Sequence, residues 1–182
     1  AGDTSGTATF DPTDDSKYES ATAETSIVAI TSVSGGNATE SGTQTATISI
    51  TENESAPTVT LATSGSTLDE NSNSTLTLTA TLSGTTYENV TVALTPTGTA
   101  TEGTDYETIA DIVISEDATT GTTTFETKDD CITEGSTDET ATVAITGVSG
   151  GGASESGTQS VALAIDDDEG APSAAATTPK KT

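Results

Sequence analysis

The sequence predicts an all-β chain, an antiparallel sandwich of two sheets. Three observations carry this: short runs of strict apolar/polar alternation, no sustained helical period, and turn-forming clusters between the runs. In order from residue 57, TVTL (58–61) opens the series. STLTLTATL (74–82) puts Leu76, Leu78, Ala80 and Leu82 on one face, and VTVAL (90–94) does the same with Val90, Val92 and Leu94. DIVIS offers Ile112 and Ile114, and GTTTF ends on Phe125. TATVAI offers Ala141, Val143 and Ile145, and SVALAI offers Val161, Leu163 and Ile165. The segments SGTT, TPTG, SEDATTG and SGGGASESG read as the turns between them. About seven short strands in roughly 100 residues fit a sandwich.

The chain repeats itself at an offset of 115. Residues 6–57 align without a gap on 121–172, with 28 of 52 positions identical, and VSGGNATESGTQ (33–44) lies over VSGGGASESGTQ (148–159). A fixed period of this length marks repeated domains. The expected organisation is the C-terminal half of one repeat (1–56), a complete repeat (57–170), and a linker or the start of a further repeat (171–182). The Gly/Ser loop is expected to join the last two strands of each repeat as a long hairpin. Residues 1–56 are expected to hold three strands, with Phe10, Val28, Ile30, Val33, Ile48 and Ile50 facing inward.

Composition narrows the function. Four Lys/Arg stand against 29 Asp/Glu, a formal charge of −25. Such a surface repels nucleic acid and anionic lipid, and it either attracts divalent cations or suits a high-salt medium. No apolar run reaches membrane-spanning length. Without Trp or Met, and with two Phe and three Tyr, the core is thin and an additional staple is expected. One cysteine, Cys131, forms no internal disulfide and has Ser16 as its counterpart. Ala1 is not an initiator Met, so the chain reads as a processed or partial product.

Carboxylates collect where strands are expected to end. Glu70 precedes the second strand, Asp105 stands in GTDYE, and Asp129 and Asp130 follow the Phe125 strand. Glu134 and Glu139 come shortly after, and Asp166, Asp167 and Asp168 close the last strand. Gathered at one end of a sandwich, they would repel one another unless a cation sat among them. Oxygen donors alone select hard ions, and Ca2+ takes six to eight of them.

These segments (PTVTLATSGSTLDENSNSTLTLTATL, GTATEGTDYE, GTTTFETKDD and ALAIDDDE, in this order) resemble a Calx-β domain. The resemblance covers 57–169, and 6–54 resemble the C-terminal half of another copy. It implies an immunoglobulin-like antiparallel sandwich with Ca2+ bound at one pole. The ligands it implies are Glu70, Asp105, Asp129, Asp130, Glu134, Asp166, Asp167 and Asp168. The segment between Glu134 and Glu139 is longer than the family pattern, so Glu139 is left out of the set. The first copy keeps Asp14, Asp15 and Glu19 but ends in TENE where the second has DDDE. Calx-β domains occur in the regulatory region of sodium/calcium exchangers and, in tandem, in large extracellular adhesion proteins.

GVSGG (147–151) formally matches a nucleophile elbow, but the chain has no His to serve as base, and no catalysis is expected. Four of the five Asn residues, Asn37, Asn53, Asn73 and Asn89, lie in glycosylation sequons, a weak signal in so Ser/Thr-rich a chain. The expected role is a structural or adhesive repeat of an extracellular, cell-surface adhesin or filament, rigidified by Ca2+. Its expected partners are neighbouring repeats in the same chain or in adjacent subunits. The alternative is a calcium-sensing regulatory domain of a larger transporter or enzyme.

Overall fold

The computed structural model describes residues 4–70, 74–129 and 137–167. Among the described residues there are strands and no α-helix. The first part holds β1 (Lys17–Tyr18), β2 (Glu24–Ala29) and β3 (Thr45–Ile50). The sandwich follows with β4 (Thr58–Thr63), β5 (Thr67–Asp69), β6 (Thr75–Leu82), β7 (Thr85–Thr86) and β8 (Val90–Gly98). It closes with β9 (Ile112–Ile114), β10 (Thr120–Glu126), β11 (Glu139–Ser149), β12 (Ser154–Glu155) and β13 (Ser160–Asp166).

Two sheets face each other, one in the order β10-β6-β4-β12 and the other β5-β13-β11-β8-β9. Period-2 alternation sends Val59, Leu61, Leu78, Ala80, Leu82 and Phe125 inward from the first sheet. Val90, Val92, Ile112, Ile114, Val143 and Ile165 meet them from the second, in one continuous core. The seven expected strands are all present, as β4, β6, β8, β9, β10, β11 and β13. Three short ones join them, and two of these, β5 on β13 and β12 on β4, make parallel pairs at the sheet edges. TPTG is not a turn: Thr95–Gly98 continue β8, and Pro96 pairs with Val143 of β11. Proline is tolerated there because β9 pairs only with Val90–Val92 and leaves the other side of β8 open at residue 96.

The repeated loop has the same backbone geometry in both places. Gly35, Gly36 and Asn37 have φ of 87°, 60° and 56°, and Gly150, Gly151 and Gly152 have 90°, 52° and 61°. Ile30 N–H donates to Gln44 O at 3.1 Å, as Ile145 N–H does to Gln159 O at 3.0 Å. The β2–β3 register, Glu24 opposite Ile50, is the β11–β13 register, Glu139 opposite Ile165.

The surroundings of the two hairpins differ. β11 pairs with β8 as well as β13, whereas β2 pairs with β3 alone among the described residues. Residues 5–11, the counterpart of β10, form no strand, contrary to the three strands expected with a Phe10 strand among them. β10 is held by its ladder to β6, and 5–11 have no such neighbour among the described residues. The N-terminal part is instead tied to the sandwich by β1, which runs parallel to β7. Tyr18 is buried against the Gly loop: a Cβ on Gly152 would lie 2.3 Å from its ring, so only glycine fits there. Lys17 forms an ion pair with Asp117 and lies 4.8 Å from the Tyr87 ring centroid.

Phe125 is fully buried and stacks on Tyr106 with ring centroids 4.8 Å apart, whereas its counterpart Phe10 is exposed. Phe125→Ala is expected to cost about 3–5 kcal/mol in denaturant unfolding, and Phe10→Ala less than about 0.5 kcal/mol. Equal losses would contradict this packing.

Candidate metal pole

The carboxylates gather at one end of the sandwich because of strand register. Leu68 of β5 points into the core, and Glu70, just past the end of β5, is fully buried. β13 runs beside β5 with Asp166 opposite Asp69. Glu139 opens β11 opposite Ile165, half-buried, so it too lies at this end although the sequence reading left it out.

Asp105 is positioned by the GTDYE turn. Its N–H and that of Thr104 donate to Thr101 O at 3.0 and 3.2 Å, and its Oδ2 accepts from Thr101 N–H at 2.5 Å. The turn is strapped to the end of β10: Lys128 N–H donates to Asp105 O at 3.0 Å, and Glu107 N–H to Glu126 O at 2.9 Å. The Asp105 side chain is buried, and among the described residues its Oδ1 has no hydrogen-bond partner. Lys128, on the same strap, is engaged elsewhere: its Nζ donates to Gly103 O at 2.9 Å and lies 3.6 Å from Glu107.

Two residues that sequence reasoning missed complete the pole. Thr127 is buried, its hydroxyl 3.0 Å from Asp69 O and 3.3 Å from Ser74 O, and it joins β10 to β5. Its counterpart in the first copy is Pro12, which has no hydroxyl. Asp138 lies beside Asp166 and, more than burial or Asp69, holds the Asp166 carboxyl above its ordinary range.

The expected ligands are thus distributed as follows. Glu70, Asp105, Asp129, Asp166 and Asp167 end strands or turns that meet at this pole, Asp129 exposed and Asp166 and Asp167 half-buried. Asp130, Glu134 and Asp168 lie outside the described residues. Among the described residues no three acidic groups stand close enough to hold a metal ion as placed. Even so, the chemistry of the donor set fits a hard cation: oxygen donors only, with a buried carboxylate oxygen left open on Asp105.

The solved structures can now be compared. The apo form of the Calx CBD1 domain superposes with a TM-score of 0.50 at 19% identity, over 62% of this chain and 99% of that one. The fold is that of a Calx-β domain. CBD12 from CALX1.2 gives 0.49 at 19% over 60% of this chain and 44% of that one. The calcium binding domain CBD12 of CALX1.1 gives 0.48 at 21% over 57% and 42%. No protein-family model matches the chain, and no curated protein sequence does.

Of the sequons, Asn37 and Asn53 are exposed, the latter donating to Asp14 Oδ1 at 3.0 Å. Asn89 is also exposed, its Oδ1 accepting from Glu116 N–H at 2.9 Å, and Asn73 lies outside the described residues. GVSGG continues β11 as a strand into a turn, with no helix behind it.

The first copy's equivalent end is a cleft of about 210 Å³ lined by Asp14, Asp15, Glu19, Glu24, Glu52 and Glu54 among others. Here the charge is met by backbone. Glu52 accepts N–H bonds from Glu19 at 2.6 Å, Asn53 and Glu54 at 3.0 Å, and Ser20 at 3.4 Å. These bonds, led by the one from Glu19, lower its carboxyl to about 2, while Glu54, hydrogen-bonded to it, is raised. The stabilisation from Glu52 is therefore present above the ordinary glutamate range and is lost as pH falls through about 2. A carboxyl-detected NMR titration is expected to find Glu52 titrating well below the ordinary glutamate range and below Glu54. An ordinary midpoint would contradict the backbone cradle.

Proposed function

We propose that the chain is a calcium-binding Calx-β segment in which the sandwich pole around Asp105 takes up Ca2+, as a calcium-sensing domain of a larger protein does. The observation that carries this is the open, buried Oδ1 of Asp105. It stands at an end to which β5, β10, β11 and β13 bring further carboxylates. A buried charge with an unfilled acceptor costs several kcal/mol unless a cation compensates it. Glu70, Asp105, Asp129, Asp166 and Asp167 would hold the ion, with Asp130, Glu134 and Asp168 from outside the described residues. Bound Ca2+ would supply charge neutralisation and a rigid link between strand ends; no chemical step is assigned to it.

The likeness in fold to the Calx CBD1 domain supports this reading. One observation favours a mechanical contribution as well. The β1–β7 pairing and the Tyr18 contact fasten the N-terminal part to the loop end of the sandwich, away from the acidic pole. Ca2+ at the pole would then stiffen one end of a domain whose other end is already clasped. Extracellular placement, cell adhesion, filament formation and N-glycosylation belong to that second reading.

Calorimetric titration of the full chain with Ca2+ at 0.15 M KCl is expected to show saturable binding, weaker for Mg2+. Asp105→Asn keeps the side chain's shape and is expected to weaken it by roughly tenfold or more, about 1.4 kcal/mol. No binding at millimolar Ca2+, or equal binding by Asp105→Asn, would overturn the assignment.

A further inference from the structure

We propose that the hairpin of residues 24–50 is a docking face for a strand segment of the type of residues 57–115, entering ahead of the hairpin in the chain. The argument comes from the contrast between two hairpins of the same register and loop geometry. Four inward positions of the first part are open where their counterparts 115 residues on are covered, while Ile48 and Ile50 are half-buried. Phe10 is 44% exposed and Phe125 0%; Val28 is 48% and Val143 0%; Ile30 is 48% and Ile145 6%. Val33 is 40% exposed, whereas Val148 packs partly buried against the core. Val28 on β2, with Ile30 and Val33 just beyond it, is therefore an exposed apolar stretch of one hairpin, and exposed apolar residues gathered in this way mark an interaction surface.

The second hairpin shows what buries such a face: the facing sheet, to which β6 belongs, packs over it, and β8 and β5 extend its own sheet on either edge. β8 lies antiparallel on the edge of β11 with Pro96 opposite Val143, Leu94 opposite Ile145 and Val92 opposite Val148. β5 lies parallel on β13 with Leu68 opposite Ile165, and β6 pairs Leu76 with Phe125. All three covering strands come from residues 57–115. Carried back by 115, the same cover would place a β8-like strand on the open edge of β2 against Val28, Ile30 and Val33. A β5-like strand would lie beside Ile50, and a β6-like strand would turn residues 5–11 into the strand they lack. Main-chain pairing would supply affinity and the alternating apolar row the register.

A second copy of this chain is not the occupant. Each copy holds two such hairpins, 24–50 and 139–165, but one set of covering strands, and those already lie on 139–165. A copy that lent them would open the same face on itself.

The test joins an added 57–115 segment directly ahead of residue 1, reproducing the junction between residues 115 and 116, and compares hydrogen exchange with the full chain as it stands. Amides of 24–29 and 45–50 are expected to slow by roughly tenfold or more, toward the rates of 139–144 and 160–165. The same extension carrying Val90→Asp, Val92→Asp and Leu94→Asp in the added segment is expected to give no slowing. Unchanged exchange in the first extension, or equal slowing in the second, would overturn the proposal. So would protection of 24–50 in the unextended chain that grows with its concentration, which assigns the face to a second copy. A measurement without any extension guards against a misfolded fusion. The unextended chain is expected to bind an apolar dye, less so with Val28→Thr and Ile30→Thr together, and unchanged dye binding would overturn the proposal.

Discussion

The chain carries carboxylates to the end of an apolar core and buries them there. Glu70 stands just past the end of β5, where Leu68 enters the core, and is fully buried. Asp105 is wound into its turn by Thr101 and buried with one oxygen satisfied and the other open among the described residues. In a protein with 29 acidic and four basic residues, side-chain cations are scarce, and the Lys128 ammonium is turned to Gly103 and Glu107. Backbone N–H groups neutralise Glu52 in the first copy's cleft, but they leave Asp105 half served. A hard divalent cation is what the remaining oxygens suit.

The two copies show how small changes divert one design. Thr127 ties β10 to β5 at the second pole, and Pro12 stands in its place in the first. The second copy has its covering strands, and its Phe125 stacks on Tyr106 inside the core. The first has the same hairpin without them, and Phe10 lies in the open. The same local sequence therefore makes the same hairpin in both places, while burial depends on residues far away in the chain. That division is the general one between local turn chemistry and tertiary packing.

Much of the sandwich was legible from alternation alone, because strands such as β6 and β11 put apolar residues at every second position and polar ones between. The repeated loop was legible as a hairpin because Gly35, Gly36, Gly150, Gly151 and Gly152 supply the positive φ it needs, with Asn37 tolerating the same region. The acidic residues were read from the sequence as strand ends, and among the described ones Asp166 closes β13 opposite Asp69 of β5. What was not legible depends on contacts between distant residues. The β5 and β12 edges are too short for a period to register, and β1 finds β7 through Tyr18, a residue the other copy lacks (Thr133 stands there). Thr127 has no mark in a Thr-rich chain. Asp138 and Glu139 were obscured by the length of the sequence segment after Glu134, although Glu139 opens β11 opposite Ile165.

The most direct test of the central idea, that a buried carboxylate is kept at the pole for a cation, is a comparison of sign. Unfolding stability of the chain and of Asp105→Asn is measured by denaturant, once in excess chelator and once in saturating Ca2+ at equal ionic strength. With the cation removed, the neutral amide is expected to match or exceed the carboxylate, because the uncompensated buried charge is gone. With Ca2+ present the order is expected to reverse, since the ligand stabilises the form that binds it by mass action. The same order in both conditions would contradict the account.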